Sequence, residues 1–219
     1  MTDEITNKGD QLISEIINAE PRLNDEASAL LLDELYSGYP VVNLKRLIES
    51  DNDYAASEGA WLLSEIGSLG GGMIHCLPTL FNHRCFRVRY WAIDYSLLNL
   101  TEEIPEYICL ALERFSDNID TVRKYAIIQY SKLNNEIVEA VLSHANQTLP
   151  CSNVRQIAIT MLEKDSDRLR ASLHDPLVEI RSAALSAVIR SPADKYELLS
   201  EAAKSGDLVV RTVAHNHIT

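Results

Sequence analysis

The chain is expected to fold as an all-α protein, a stack of about six helix pairs behind an N-terminal helical cap. Three observations lead there. Glycine is absent between Met73 and Lys204 and no Asn-Gly or Asp-Gly pair occurs anywhere, so tight hairpins have no support in the sequence. Pro40, Pro176 and Pro192 each open a helical pattern, at a position where a missing amide costs nothing. An apolar residue, an arginine and, four positions after the first, an alanine recur along the chain, and such internal repetition is the sequence sign of a repeat architecture.

The cap occupies residues 1–39. Residues 5–17 place Leu12, Ile13, Ile16 and Ile17 on one helical stripe, and residues 26–36 place Leu30, Leu31 and Leu35 on another. Asn24 or Asp25 is suited to cap the second helix, and Gly38 to end it. The array follows over residues 40–219 and forms one continuous domain with the cap. Its anchors are Val88-Arg89-Tyr90-Trp91-Ala92, Val122-Arg123-Lys124-Tyr125-Ala126, Val154-Arg155-Gln156-Ile157-Ala158, Ile180-Arg181-Ser182-Ala183-Ala184 and Val210-Arg211-Thr212-Val213-Ala214. A sixth, Ala56-Ser57-Glu58-Gly59-Ala60, keeps the small residues without the arginine. Anchor positions 56, 88, 122, 154, 180 and 210 are separated by 32, 34, 32, 26 and 30 residues, the period of helix-pair solenoids. A further helix precedes each anchor, as at 44–49 and 168–173, and the i, i+4 spacing puts anchor and alanine on one inward face. Gly70-Gly71-Gly72 reads as a flexible linker between repeats.

His174-Asp175-Pro176-Leu177-Val178-Glu179-Ile180-Arg181-Ser182-Ala183-Ala184-Leu185 resembles the turn and second helix of HEAT repeats, in particular the short bacterial kind found in phycobilin lyases. The resemblance covers residues 40–219 and implies a right-handed α-α superhelix. It also implies an internal ladder between the repeated arginine and a turn aspartate five residues before the anchor. Asp51, Asp117 and Asp175 hold that place, with Asp117 set to meet Arg123 and Asp175 to meet Arg181, while His83, Leu149 and Ser205 depart from it and point to local irregularity. The scaffold serves many tasks, so function rests on the surface.

Acidic residues outnumber basic ones 32 to 20, a formal charge of −12. Phosphate-rich partners are disfavoured and basic proteins favoured. Residues 1–53 contain 12 acidic and 4 basic side chains, so most of the excess sits at the N-terminal end. Cys76, Cys85, Cys109 and Cys151 form no CxxC pair, which suits a reducing cytoplasm, and no apolar run approaches the length of a membrane span.

No catalytic, cofactor or metal residue is assigned. The glycine run lacks the Gly-Lys-Ser/Thr ending of a phosphate loop, and no H-E-x-x-H motif or His-Glu dipeptide occurs. His83-Arg84-Cys85-Phe86-Arg87-Val88-Arg89-Tyr90-Trp91 is the one concentrated basic and aromatic stretch, open to a nucleic-acid reading. Resemblance to HEAT-like alkylpurine DNA glycosylases would make Trp91 and Asp94 the candidate cleft residues. Second helices should turn positions two, six and nine after the anchor outward. The expected partner-binding residues are therefore Glu58, Leu62, Glu65, Tyr90, Trp91, Asp94 and Lys124, a mixture of carboxylates, aromatics and an aliphatic that fits a protein interface. The function expected is non-catalytic protein binding by a monomer or weak homo-oligomer, most concretely an acidic inhibitor or immunity protein that masks a basic nuclease-type toxin. A general adaptor or lyase-like chaperone is the alternative.

Overall fold

The computed structural model describes residues 7–19, 25–101, 104–148, 153–190 and 194–218, and every regular element among them is helical. No helix among these residues is long and apolar enough to cross a membrane. Asn24, Leu149, Cys151 and Pro192 lie outside the described residues. The chain groups into two compact units, Met1–Asn99 and Leu100–Thr219.

In the first unit, α1 (Lys8–Asn18) starts where the Asn7 side chain accepts the Gly9 amide, and it buries Leu12, Ile13 and Ile16. Helix α2 (Asp25–Tyr36) buries Leu31 and Leu35 but leaves Leu30 exposed, and ends before Gly38 at φ +102°. A 3-10 turn over Val41–Leu44 runs into the short α3 (Lys45–Ile48). Helix α4 (Asp53–Ile66) is capped by Asn52, whose side chain accepts the Tyr54 amide. Gly59 brings α4 close to α3: a Cβ built there would lie 2.8 Å from the Leu47 Cβ. Gly67–Cys76 is an ordered 3-10 helix and not the flexible linker expected from its glycines. It packs on α6 (Phe86–Asn99), where the buried Tyr95 hydroxyl donates to the Gly70 carbonyl at 2.7 Å. Between them lies α5 (Leu77–Phe81), with Pro78 in its first turn.

The second unit contains α7 (Pro105–Leu112) with a 3-10 extension over Glu113–Ser116, α8 (Asp120–Tyr130), α9 (Asn135–Thr148) and α10 (Asn153–Leu162). It continues with α11 (Ser166–Leu173), α12 (Val178–Arg190), α13 (Lys195–Ala202) and α14 (Leu208–Ile218). Consecutive helices pair as the repeat predicts: α9 with α10, α11 with α12, α13 with α14, and the 3-10 extension of α7 with α8. Helix α8 also lies against α12 and α14, two and three pairs further along the chain. A one-dimensional stack, in which each pair meets only its neighbours, has no such contact. Helix α12 is the centre of this unit, and every residue from Ser182 to Val188 is buried.

All six anchor positions and their alanines are buried: Ala56 and Ala60, Val88 and Ala92, Val122 and Ala126, Val154 and Ala158, Ile180 and Ala184, Val210 and Ala214. Three of the five repeated arginines serve the turns, in a way different from the expected side-chain ladder. Arg89 donates to the His83 carbonyl at 2.8 Å, Arg181 to the Asp175 carbonyl at 2.7 Å, and Arg211 to the Ser205 carbonyl at 3.1 Å, six residues back in each case. The turn side chain has a separate task, accepting the amide two residues on. Asp117 does so from Ile119 and Asp175 from Leu177, as in an Asx turn. His83 performs it with Nδ1 on Cys85 and Ser205 with its hydroxyl on Asp207, so these two departures bring no irregularity. Burial lowers the His83 pKa, consistent with a neutral ring acting as acceptor.

Candidate partner-binding surface

Six of the seven expected binding residues lie on three helices in positions that leave them at least partly accessible. Helices α4 and α6 pack together and bring Glu58 and Glu65 into one unit with Tyr90, Trp91 and Asp94. Glu65 is exposed; Glu58, Tyr90, Trp91 and Asp94 are half-buried. The Tyr90 and Trp91 rings meet edge to face, centroids 5.1 Å apart, and Glu58, Tyr90 and Asp94 all interact within the chain. Lys124 is half-buried on α8, in the other unit.

Leu62 requires a correction. It is 0% exposed and belongs to the core. The expectation gave α4 one buried face, whereas α1, α2, α3, α6 and the 3-10 helix Gly67–Cys76 all pack against it. A helix covered from so many sides has little outer face left for position six after the anchor.

The basic and aromatic stretch 83–91 is largely occupied within its own unit. Arg84 pairs with Asp53 at 2.8 Å and donates to the Asp51 carbonyl, while the buried Arg89 donates to the carbonyls of His83 and Arg84. Other cations of this unit are paired too: Lys8 with Glu34, Lys45 with Glu49 and Arg46 with Asp10. The carboxylates that remain over give residues 1–99 a formal charge of −8, from 15 acidic and 7 basic side chains.

Sequence reasoning missed one feature of this unit. Tyr36, Leu69 and Leu98 are 57%, 63% and 59% exposed; Tyr36 and Leu98 flank the C-terminal end of α4, and Leu69 follows that end by three residues. The Tyr36 hydroxyl donates to the Glu65 carbonyl at 3.0 Å, and a Cβ on Gly67 would lie 3.5 Å from the Leu98 Cδ1. Their shared signal in the sequence is position, since each falls at or just beyond a helix C-terminus.

In the second unit the strongest electrostatic feature is Asp207, whose side chain is 5% exposed. Arg123 reaches it at 3.1 Å and Arg181 at 3.0 Å. Burial pushes its carboxyl upward, but the Arg181 hydrogen bond, the Arg123 charge and the Val209 and Val210 amides outweigh this and hold its pKa below the usual carboxylate range. Arg123 and Arg181 thus find their carboxylate in Asp207, where Asp117 and Asp175 were expected. The cluster ties α8 and α12 to the start of α14.

Arg190 has a different environment. It donates to the Leu133 and Met161 carbonyls, which joins the C-terminal ends of α8, α10 and α12, and burial lowers its pKa. A shallow cavity of about 180 Å³ beside it is lined by Asn135, Glu163 and Lys164 among others. No group of three His, Cys, Asp or Glu side chains among the described residues is arranged to hold a metal ion. Cys109 is buried, and its thiol is pushed up to about 11 by burial and by Glu113 and Glu106.

No family model matches the chain, and no curated protein matches it. Among solved structures it is similar to the crystal structure of an engineered protein, at 16% identity over 81% of this chain and 94% of that chain, with a TM-score of 0.39. A likeness at that level bears on neither the fold nor the function.

Proposed function

We propose that the protein is a non-catalytic protein-binding module built from HEAT-like helix pairs, acting in the cytoplasm as an acidic inhibitor or immunity-type protein that masks a basic, nuclease-type partner. The observation that carries this reading is the charge of the first unit: −8 over 99 residues, with Lys8, Lys45, Arg46 and Arg84 already paired to carboxylates. Such a field accelerates encounter with a cationic partner. Glu58, Glu65 and Asp94, next to the Tyr90 and Trp91 rings, then supply short-range contacts of the kind enriched at interfaces. A right-handed superhelix over residues 40–219 is part of the same proposal; the buried anchor pairs and the pairing of consecutive helices support it, whereas the contact of α8 with α14 departs from a one-dimensional stack.

The glycosylase reading is disfavoured by the basic stretch itself, because Arg84 and Arg89 are tied to Asp53 and to backbone carbonyls. A general adaptor or lyase-like chaperone shares the scaffold but predicts a partner without marked basic character.

Affinity capture with mass spectrometry across a salt series tests the proposal. A stoichiometric basic partner should be retained at low ionic strength and lost as salt rises. The combined substitution Glu58→Lys, Glu65→Lys and Asp94→Lys should weaken its binding by about tenfold or more. A neutral partner indifferent to salt, or duplex DNA binding with no protein captured, would overturn it.

A further inference from the structure

Helices α2, α4 and α6 end at the same place. Tyr36 is the last residue of α2, and its hydroxyl donates to the carbonyl of Glu65 in the last turn of α4. Asn99, the last residue of α6, donates through Nδ2 to the carbonyl of Gly67, the C-cap of α4. None of the three helices has a basic residue in its last turn. A helix C-terminus carries the equivalent of about half a negative charge, ordinarily complemented by Lys or Arg close by. Three such ends stand together here beside the exposed carboxylate of Glu65.

The same edge is apolar. Leu69 and Leu98 are each about three-fifths exposed, and Tyr36 presents its ring while its hydroxyl is held by the α4 backbone. Large exposed apolar side chains set around one helix end of a strongly acidic unit are a mark of an interaction site. Its electrical surroundings specify the chemistry of what covers it: aliphatic groups for the leucines and tyrosine, positive charge for the helix ends and Glu65.

We propose that this edge is the docking surface for a Lys/Arg-bearing amphipathic segment of another protein. Aliphatic side chains of that segment pack on Tyr36, Leu69 and Leu98, and its cations supply the C-terminal complement that α2, α4 and α6 lack in their own sequence. This rests on the proposed function in taking the partner to be basic, and goes further by placing its contact at the ends of the helices.

The test uses a designed Lys/Leu amphipathic helix of about four turns, a scrambled peptide of the same composition, and a Glu/Leu counterpart, each titrated into the full chain at about 0.15 M salt. Binding is read by fluorescence anisotropy and by amide shifts of isotopically labelled protein. The Lys/Leu helix should perturb the amides around Tyr36, Glu65 to Leu69, and Leu98. Leu69→Ser with Leu98→Ser should weaken it about tenfold, and Glu65→Lys about threefold or more, with the thermal melt unchanged because these side chains are exposed. The scrambled and Glu/Leu peptides should bind more weakly than the Lys/Leu helix. Perturbations centred away from Tyr36, Glu65 to Leu69, and Leu98, or equal affinity of wild type and the double-serine variant, would overturn the proposal. A concentration-dependent dimer that the double-serine variant dissolves would also overturn it, by making a second copy the occupant. If a basic partner is captured equally well by wild type and variant, the docking surface is wrong and the proposed function stands. If the Lys/Leu helix docks as described but no basic partner exists, the docking surface stands and the function falls.

Discussion

Residues 1–99 and 100–219 carry formal charges of −8 and −4, yet the ion pairs with the most buried carboxylates, Asp117 and Asp207, lie in the less charged unit. In the first unit Lys8, Lys45, Arg46 and Arg84 all meet their carboxylates at the surface, where side-chain ordering and solvent screening leave little net gain. Its order comes from close apolar packing, as at Gly59 against Leu47, and from hydroxyls such as Tyr95 on the Gly70 carbonyl. In the second unit Asp207 joins α14 to α8 and α12 through two arginines while almost wholly excluded from water. Net charge therefore indicates which half carries the stronger field, and burial indicates which half depends on charge to hold its shape.

That contrast can be broken most forcefully at Asp207. Asp207→Ala leaves Arg123 and Arg181 without their shared carboxylate and should cost about 3–5 kcal/mol, measured by denaturant unfolding. Hydrogen exchange should quicken in α8, α12 and α14 and stay unchanged in α1 to α6; equal loosening of both units would refute the contrast. Asp207→Asn examines the same site by pH. Because the folded pKa is depressed, the contribution of Asp207 is complete above the ordinary carboxylate value near ~3.9 and is lost as pH falls through the folded value. Wild type should therefore lose stability more steeply than the asparagine variant below about pH 4.

A smaller effect is expected at Gly59. Alanine is the better helix former by about 1 kcal/mol, but its Cβ would stand 2.8 Å from the Leu47 Cβ and 3.1 Å from the Ile48 backbone nitrogen. Overpacking at about 1–3 kcal/mol should prevail, with a net loss of about 1–2 kcal/mol confined to the first unit. A gain in melting temperature would show that α3 yields easily. The smallest effect belongs to Arg46→Ala, which removes the surface pair with Asp10: under about 1 kcal/mol, and nothing measurable at about 0.5 M salt. A larger or salt-independent loss would mean that surface charge also supports the first unit.

The inward face of the array was legible because a Val/Ala pair four residues apart fixes one side of a helix whatever surrounds it, and each of the six pairs is buried. Leu62 was misread because the periodicity of one helix does not reveal how many others cover it. Composition points to a linker at Gly70 because it reports only what glycine permits. Its packing under the Tyr95 ring, with a built Cβ 3.2 Å from Cε2, depends on a residue 25 positions away. The meeting of α8 with α14 is an 84-residue contact between Arg123 and Asp207, and nothing in a local repeat encodes it. The residues expected to bind a partner fall between these cases, since spacing puts Glu65 at the surface but does not show that three helices end beside it.

The arginine that reaches back six residues has a bearing on how the sequence can drift. At Arg89, Arg181 and Arg211 it grips a carbonyl, a group that every amino acid presents alike. Histidine, aspartate and serine stand at the three gripped positions, and the joint is the same. Substitution at that position leaves the arginine clasp intact, so the turns of this chain can vary in chemistry, and acquire new contacts, wherever the new side chain still accepts the amide two residues on.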